Sequence, residues 1–120
     1  MTVLRGTVAS GKSDLAHWMR TYAAAYSDAT GLALYAGSLN VVLAAPYELP
    51  ADRIRLPASA VGVNVNLVEC RAFGRRVFIF RTDADDAKGP NQRCLIEILS
   101  EVRLRDEYRL SDGDLVGVVV

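Results

Sequence analysis

Three groups of residues have the types and spacing to do chemistry. In "YAGSLNVVL" (Tyr35 to Leu43), Ser38 and Asn40 stand two apart, behind Gly37 and ahead of an apolar run. A hydroxyl and a carboxamide oxygen are hard, neutral ligands, suited to a magnesium ion whose other positions are filled by nucleotide phosphates and water. The same residues are also frequent in turns, because they hydrogen-bond their own backbone, and spacing alone favours the turn. In "GTVASGKSD", Gly6, Gly11, Lys12 and Ser13 fit G-x-x-x-x-G-K-S by letter. Backbone N–H groups in such a turn, next to a helix N-terminus, cradle anions, and Lys12 adds a point charge. A Walker-type NTPase needs a βαβ context that the rest of the chain lacks, so an ordinary strand-to-helix turn is the simpler reading. In "CLIEILS", alternation puts Glu97 on one face with Leu95 and Leu99. A buried carboxylate there requires a partner or a substrate; on an edge strand it would simply face water.

Other polar residues read more plainly. His17 is the sole histidine, with no nucleophile placed to pair with it, and suits an exposed helix position. Asp112 and Asp114 flank Gly113 and are read as shaping a turn rather than binding metal.

The elements that must position these groups follow from periodicity. Thr2 to Ala9 reads as a short strand, and "SGKSD" as loop and helix cap. From Leu15, apolar residues recur at three- and four-residue steps through Ala29, and Gly31 ends the helix in the left-handed conformation. The rest is strand-like. "SLNVVLAA" is β-branched, and "PYELPADRIRLP" is broken by Pro46, Pro50 and Pro57 into loop or edge. "VGVNVNLVECRAF" alternates, with Val61, Val63, Val65 and Leu67 on one face and Asn64 and Asn66 on the other. It pairs with "GRRVFIFRTD" through a turn at Phe73 to Arg75, and "DADDAKGPNQ" is a polar loop. "RCLIEILS" is a strand, "VRLRDEYRL" a short polar segment or helical turn, and "SDGDLVGVVV" a turn into a last strand. Many short strands and one helix in one short chain point to a compact β-barrel.

Composition narrows the function classes. Half the residues are hydrophobic (51%), enough for a core without staples, and the length suits a single domain over residues 1–120. Fourteen basic residues balance 14 acidic ones, which disfavours a general nucleic-acid surface. Cys70 and Cys94 are too few for a disulfide framework or zinc site and read as reduced thiols. No apolar run approaches the roughly 18 residues of a membrane span, and no signal-peptide pattern opens the chain. The expectation is a cytoplasmic monomer with no membrane or nucleic-acid partner.

Taken together, the motifs resemble the CTP-dependent riboflavin kinases best known from archaea. That family carries G-x-V-x-S-G-x-G-x-G/A, then a helix leading to P-G-T-L-N-V, then E-I-I-A-P-x-x-L-R-x-x-L-x-L-x-D-G-D. This chain has "GTVASGKSDLA", "ATGLALYAGSLNVVL" and "IEILSEVRLRDEYRLSDGDLVGVVV", in the same order and spacing from Gly6 almost to Val120. The resemblance implies an all-β fold, a six-stranded cradle-loop (RIFT-like) β-barrel with one short N-terminal helix. It implies phosphoryl transfer from CTP to the 5′-hydroxyl of riboflavin, giving FMN and CDP, with Mg2+ as cofactor. The metal ligands fall on Ser38 and Asn40. The nucleotide loop falls on Gly11, Lys12, Ser13, Asp14, Leu15 and Ala16, and a second nucleotide-contacting stretch on Val102, Arg103, Leu104, Arg105, Asp106 and Glu107. The flavin-contacting glutamate falls on Glu97, which we also read as the group that orients or deprotonates the attacking hydroxyl. The flavin-contacting threonine falls on Gly89, so that role is either missing here or moved to Asn91 or Thr82. Ser13 and Leu15 replace small residues of the family loop, Ala36 its proline, and Ser100 and Glu101 its alanine–proline pair. Phe73, Phe78, Phe80 and Tyr35 are aromatic candidates for the flavin ring, with core packing the expected role of most. A second reading keeps the architecture without catalysis, as a flavin- or nucleotide-binding sensor or accessory barrel.

Overall fold

A computed structural model describes residues 2–11 and 14–120. Its strands are β1 (Val3–Ala9), β2 (Leu39–Leu43), β3 (Ile54–Leu56), β4 (Val65–Ala72), β5 (Arg75–Thr82), β6 (Leu95–Leu99) and β7 (Leu115–Val119). The order is β3-β4-β5-β6-β2-β1-β7, every pairing is antiparallel, and β4 also pairs with β7 at Arg71 and Val119. Six strands therefore close into a barrel, and β3 lies outside the ring on the free side of β4. This is the expected all-β barrel, with β3 supplied by the proline-broken edge segment.

Alternation sorts side chains into two cores. Val8, Val41, Val77, Ile79, Ile96, Ile98, Val116 and Val118 point inward and are almost fully buried. On the opposite pleat Leu67, Phe78, Phe80 and Leu99 are covered by Leu15, Met19 and Tyr26. Each such side chain contributes about 1.5–3 kcal/mol when removed from water. Helices thus cover the outer wall at β4, β5 and β6, whereas Val42 and Leu115 on the far wall stay exposed.

The expected single helix is two, α1 (Leu15–Thr21) and α2 (Ala23–Thr30), with Gly31 ending α2 at φ 74°. Tyr22 leaves helical geometry at the junction, and its ring stacks on Trp18. Four single-turn helices follow: α3 (Ala58–Val61), α4 (Asp83–Asp86), α5 (Pro90–Arg93) and α6 (Leu104–Glu107). The polar stretch "DADDAKGPNQ" therefore holds two helical turns, and "VRLRDEYRL" holds one. Among the described residues no helix is long and apolar enough to cross a membrane.

The alternating run does not begin at Val61. Gly62 takes φ 88°, Asn64 Oδ1 accepts the Ala58 N–H at 2.9 Å, and β4 starts only at Val65. Val63 is left exposed outside the strand. At the other end of β4, Phe73 and Gly74 both have positive φ, 56° and 70°, and link Ala72 to its partner Arg75 in the tight hairpin the sequence predicts.

Asn66 points into the barrel rather than to solvent. Fully buried, it accepts from Arg53 Nε at 2.8 Å and Arg55 Nη1 at 2.7 Å, and donates to Arg81 O at 3.1 Å and Asp83 Oδ1 at 2.8 Å. Beside it the buried Arg81 guanidinium donates to the carbonyls of Tyr47 (2.6 Å) and Arg93 (3.0 Å) and pairs with Asp86 (3.2 Å). These groups close the end of the barrel where β4 begins. Replacing Asn66 with leucine strands the buried Arg81 carbonyl and the partly buried Arg53 donor, so Asn66→Leu is expected to lose roughly 3 kcal/mol in urea unfolding. Arg55→Ala removes the half-exposed pair to Asp83 and one of the two donors to Asn66, so its loss should be clearly smaller.

Candidate functional site

Register brings the chemistry together. Ala9 lies opposite Asn40, Asn40 opposite Glu97, and Glu97 opposite Phe80. The end of β1, the start of β2 and the middle of β6 thus present side chains of one outer row. Gly11 crosses so close to Asn40 that a Cβ there would run into the carboxamide nitrogen. Asn40 Oδ1 is buried and accepts no hydrogen bond from any described residue. A buried oxygen of this kind calls for a partner, whether a ligand, an ion or a water.

Ser38, just ahead of β2, donates its hydroxyl to Glu97 Oε1 at 3.1 Å. The bend before it is held by Tyr35 N–H on Ser100 O at 2.8 Å and by Gly37 N–H on Met19 Sδ at 3.3 Å. Burial pushes the Glu97 carboxyl above its ordinary range, and the Ser38 bond only partly offsets this. Tyr26, buried under α2, is pushed up to about 12 by burial and by the Glu97 charge. Together, the half-buried carboxylate, the hydroxyl and the amide oxygen, unpartnered among the described residues, form the polar patch on this wall.

Beside the patch opens a cleft of about 350 Å³. Of the nucleotide-loop residues expected from the sequence, Gly11, Leu15 and Ala16 line it, as do Val102, Arg103, Leu104 and Arg105 from the second stretch, with Ser38 and Asn40. Asp14 is exposed at the start of α1, Asp106 pairs with Arg103 at 2.6 Å, and Glu107 is exposed; none of these three lines the cleft. Lys12 and Ser13 lie outside the described residues. Glu97 reaches the cleft through Ser38 rather than lining it, and Asn91 is exposed on α5 without a hydrogen bond to Glu97. Thr82 is occupied in capping α4, accepting from Asp85 N–H at 3.1 Å.

Most of the aromatic candidates pack elsewhere: Phe78 and Phe80 are core, and Phe73 stacks on Tyr108 at 4.3 Å. Tyr35 alone among them lines the cleft, 42% exposed. Among the described residues no three His, Cys, Asp or Glu side chains cluster as a metal site. Ser38 and Asn40 both line the cleft, and their neutral oxygens could hold a cation.

This chain is 30% identical to the riboflavin kinase of Thermofilum pendens over 133 aligned positions, covering 98% of this chain and 58% of that protein. Against the riboflavin kinase of Methanocella arvoryzae it is 32% identical over 126 positions, covering 98% and 56%. Over almost its whole length the chain is thus similar to two archaeal riboflavin kinases. It spans a little over half the length of these two relatives. No protein-family model matches it.

Sequence reasoning missed the part that two side chains, Ser10 and Asp112, play beside the cleft. Ser10 donates to Asp112 Oδ2 at 2.7 Å, and Arg105 Nη2 donates to Asp112 Oδ1 at 2.6 Å and to Ala9 O at 3.1 Å. Asp114 and Gly113 do form the expected turn, with Asp114 Oδ2 accepting from Ser111 N–H at 2.7 Å and Gly113 at φ 91°. Only a carboxylate two positions from another, after a motif arginine, hinted at Asp112, and a turn explained that equally well.

The raised carboxyl of Glu97 has a measurable consequence. The folded chain holds this proton more tightly than the unfolded one. The stability linked to it is therefore complete below the unfolded carboxyl range and is lost as pH rises through the folded value. Glu97→Gln removes the dependence. In metal-free buffer the variant should gain on the wild type as pH rises from about 4 to about 7, measured by urea unfolding. A gap that stays constant with pH would mean that burial does not perturb Glu97.

Proposed function

We propose that this chain transfers the terminal phosphoryl group of CTP to the 5′-hydroxyl of riboflavin, yielding FMN and CDP, with Mg2+ as cofactor. The observation that carries the reading is Asn40 Oδ1, buried without a partner among the described residues at the wall of a cleft shared with Ser38, Gly11 and Arg105. Kinship with riboflavin kinases supports the acceptor. The choice of CTP rests on the motif resemblance.

The donor set suits a hard cation whose charge is balanced by phosphates rather than by the protein. Ser38 and Asn40 would hold it through one hydroxyl and one amide oxygen, and a bound Mg2+ would supply charge neutralisation on the transferring phosphates. The chain's own residues do the positioning. Gly11 lets the backbone come close because it has no side chain to intrude, and Arg105 presents a guanidinium to the cleft. Glu97 Oε1 is engaged by Ser38, leaving the second oxygen to accept the proton of the riboflavin hydroxyl. That hydroxyl oxygen forms a bond to the γ-phosphorus while the bond from phosphorus to the β–γ bridging oxygen breaks, and CDP departs with the electron pair. A carboxyl raised by burial is a better base than an exposed one. Asn91, on α5 ahead of β6, is the proposed further flavin contact.

Purified protein incubated with riboflavin, Mg2+ and each of CTP, ATP, GTP and UTP in turn should form FMN, read by mass, with CTP as the preferred donor. FMN made only with ATP overturns the donor assignment, and flavin binding without turnover by any nucleotide favours the sensor reading. Asn40→Ala should lower turnover at least about 100-fold, some 2.7 kcal/mol of barrier, with the far-ultraviolet spectrum unchanged. Full activity in that variant removes Asn40 from the metal.

A further inference from the structure

The turn after α6 is built as a clasp across the end of β1. Gly113 N–H donates to Val8 O at 2.8 Å, and Val8 N–H donates to Asp114 O at 2.9 Å. Asp114 Oδ2 in turn fixes Ser111 N–H at 2.7 Å. Asp112 is thereby delivered with each carboxylate oxygen engaged, Oδ1 by Arg105 at 2.6 Å and Oδ2 by Ser10 at 2.7 Å. Both of those partners line the cleft, whereas Asp112 does not. Arg105 carries a second restraint, the Ala9 carbonyl at 3.1 Å. The bonds from Arg105 and Ser10 hold the Asp112 carboxyl below the ordinary range, so the acceptor is ionised at neutral pH.

Resting on the proposed nucleotide site, we infer that Asp112 is a positioning residue for phosphate binding, orienting Arg105 and the Ser10–Gly11 backbone through one carboxylate. Two physical effects oppose each other at this position. A carboxylate beside Arg105 partly cancels its charge, which by itself weakens attraction for phosphates. Held in place, however, a guanidinium meets an anion with its donors already aligned, and less ordering remains for binding to accomplish. Orientation outweighs charge here, because both ends of the contact are restrained by backbone and the same carboxylate also fixes the strand end that leads into the loop. The effect of removing Asp112 therefore has a definite sign: nucleotide affinity falls even though the cleft becomes more positive.

Calorimetric titration of the full chain with CTP and Mg2+ tests this, with riboflavin titrated in parallel. Asp112→Ala should weaken CTP binding about tenfold, leave riboflavin affinity within about twofold, and leave the thermal midpoint nearly unchanged. Asp112→Asn keeps one oxygen for Arg105 but loses the acceptor for Ser10, and should fall between. In an Arg105→Met background the Asp112→Ala step should cost no more than about twofold, because its effect acts largely through the arginine. Equal or tighter CTP binding by Asp112→Ala overturns the inference, as does an equal loss of riboflavin affinity, which would mark a structural role. Wild-type protein that binds riboflavin but no nucleotide overturns the nucleotide site itself, and this inference with it.

Discussion

Strand β2 is hydrogen-bonded along both edges, to β1 on one side and to β6 on the other, and the site depends on that double pairing. Because antiparallel register fixes which residues stand opposite, Asn40 has one place it can be, between Ala9 and Glu97. A slip of one residue would send Asn40 and Glu97 into the barrel interior and bring Val41 and Ile96 to the wall. Such a slip would expose fully buried aliphatic side chains and bury a carboxylate among them, so the packing of the inner core enforces the geometry of the polar row. Site and core are two faces of the same pleat.

The outer wall shows how the polar row is kept partly dry. Leu99 and Phe80 flank Glu97 on this side, and Tyr26 comes down from α2 above them. The helices cover the wall incompletely, since the row continues past their edge into the cleft at Asn40 and Gly11. Burial under the helices is what raises the Glu97 carboxyl, and the open side gives the row access to ligands. A carboxylate wholly in water would lack the first property, and one wholly in the core would lack the second.

Much of this was legible in the sequence. Period-two alternation with short polar breaks gave the barrel, and Ser38, Asn40 and Glu97 were marked by type and place. What the sequence could not supply was partnership across the sheet. Glu97 could have lain on an edge in water, and only the register of β2 against β6 gives it Ser38 as a neighbour. The alternation from Val61 overran its strand because Gly62 adopts a conformation that a one-dimensional pattern does not encode. Alternation put Asn66 on the face opposite Val65 and Leu67 but could not say that this face is the inside, where four hydrogen bonds with Arg53, Arg55, Arg81 and Asp83 offset its burial. Asp112 was read as turn chemistry because its partners, Ser10 and Arg105, lie 102 and seven positions away.

The buried cluster around Asn66 and Arg81 has a meaning beyond stability. It stops the barrel at the end opposite the cleft, and the interior is filled by branched aliphatic side chains from wall to wall. The barrel is therefore not a vessel. A ligand meets it only at the rim and on the outer wall, where loops and row residues can be exchanged without disturbing the inward-facing side chains. Along β2, specificity and foldability are thus written on opposite sides of one strand, and each is free to change at its own pace.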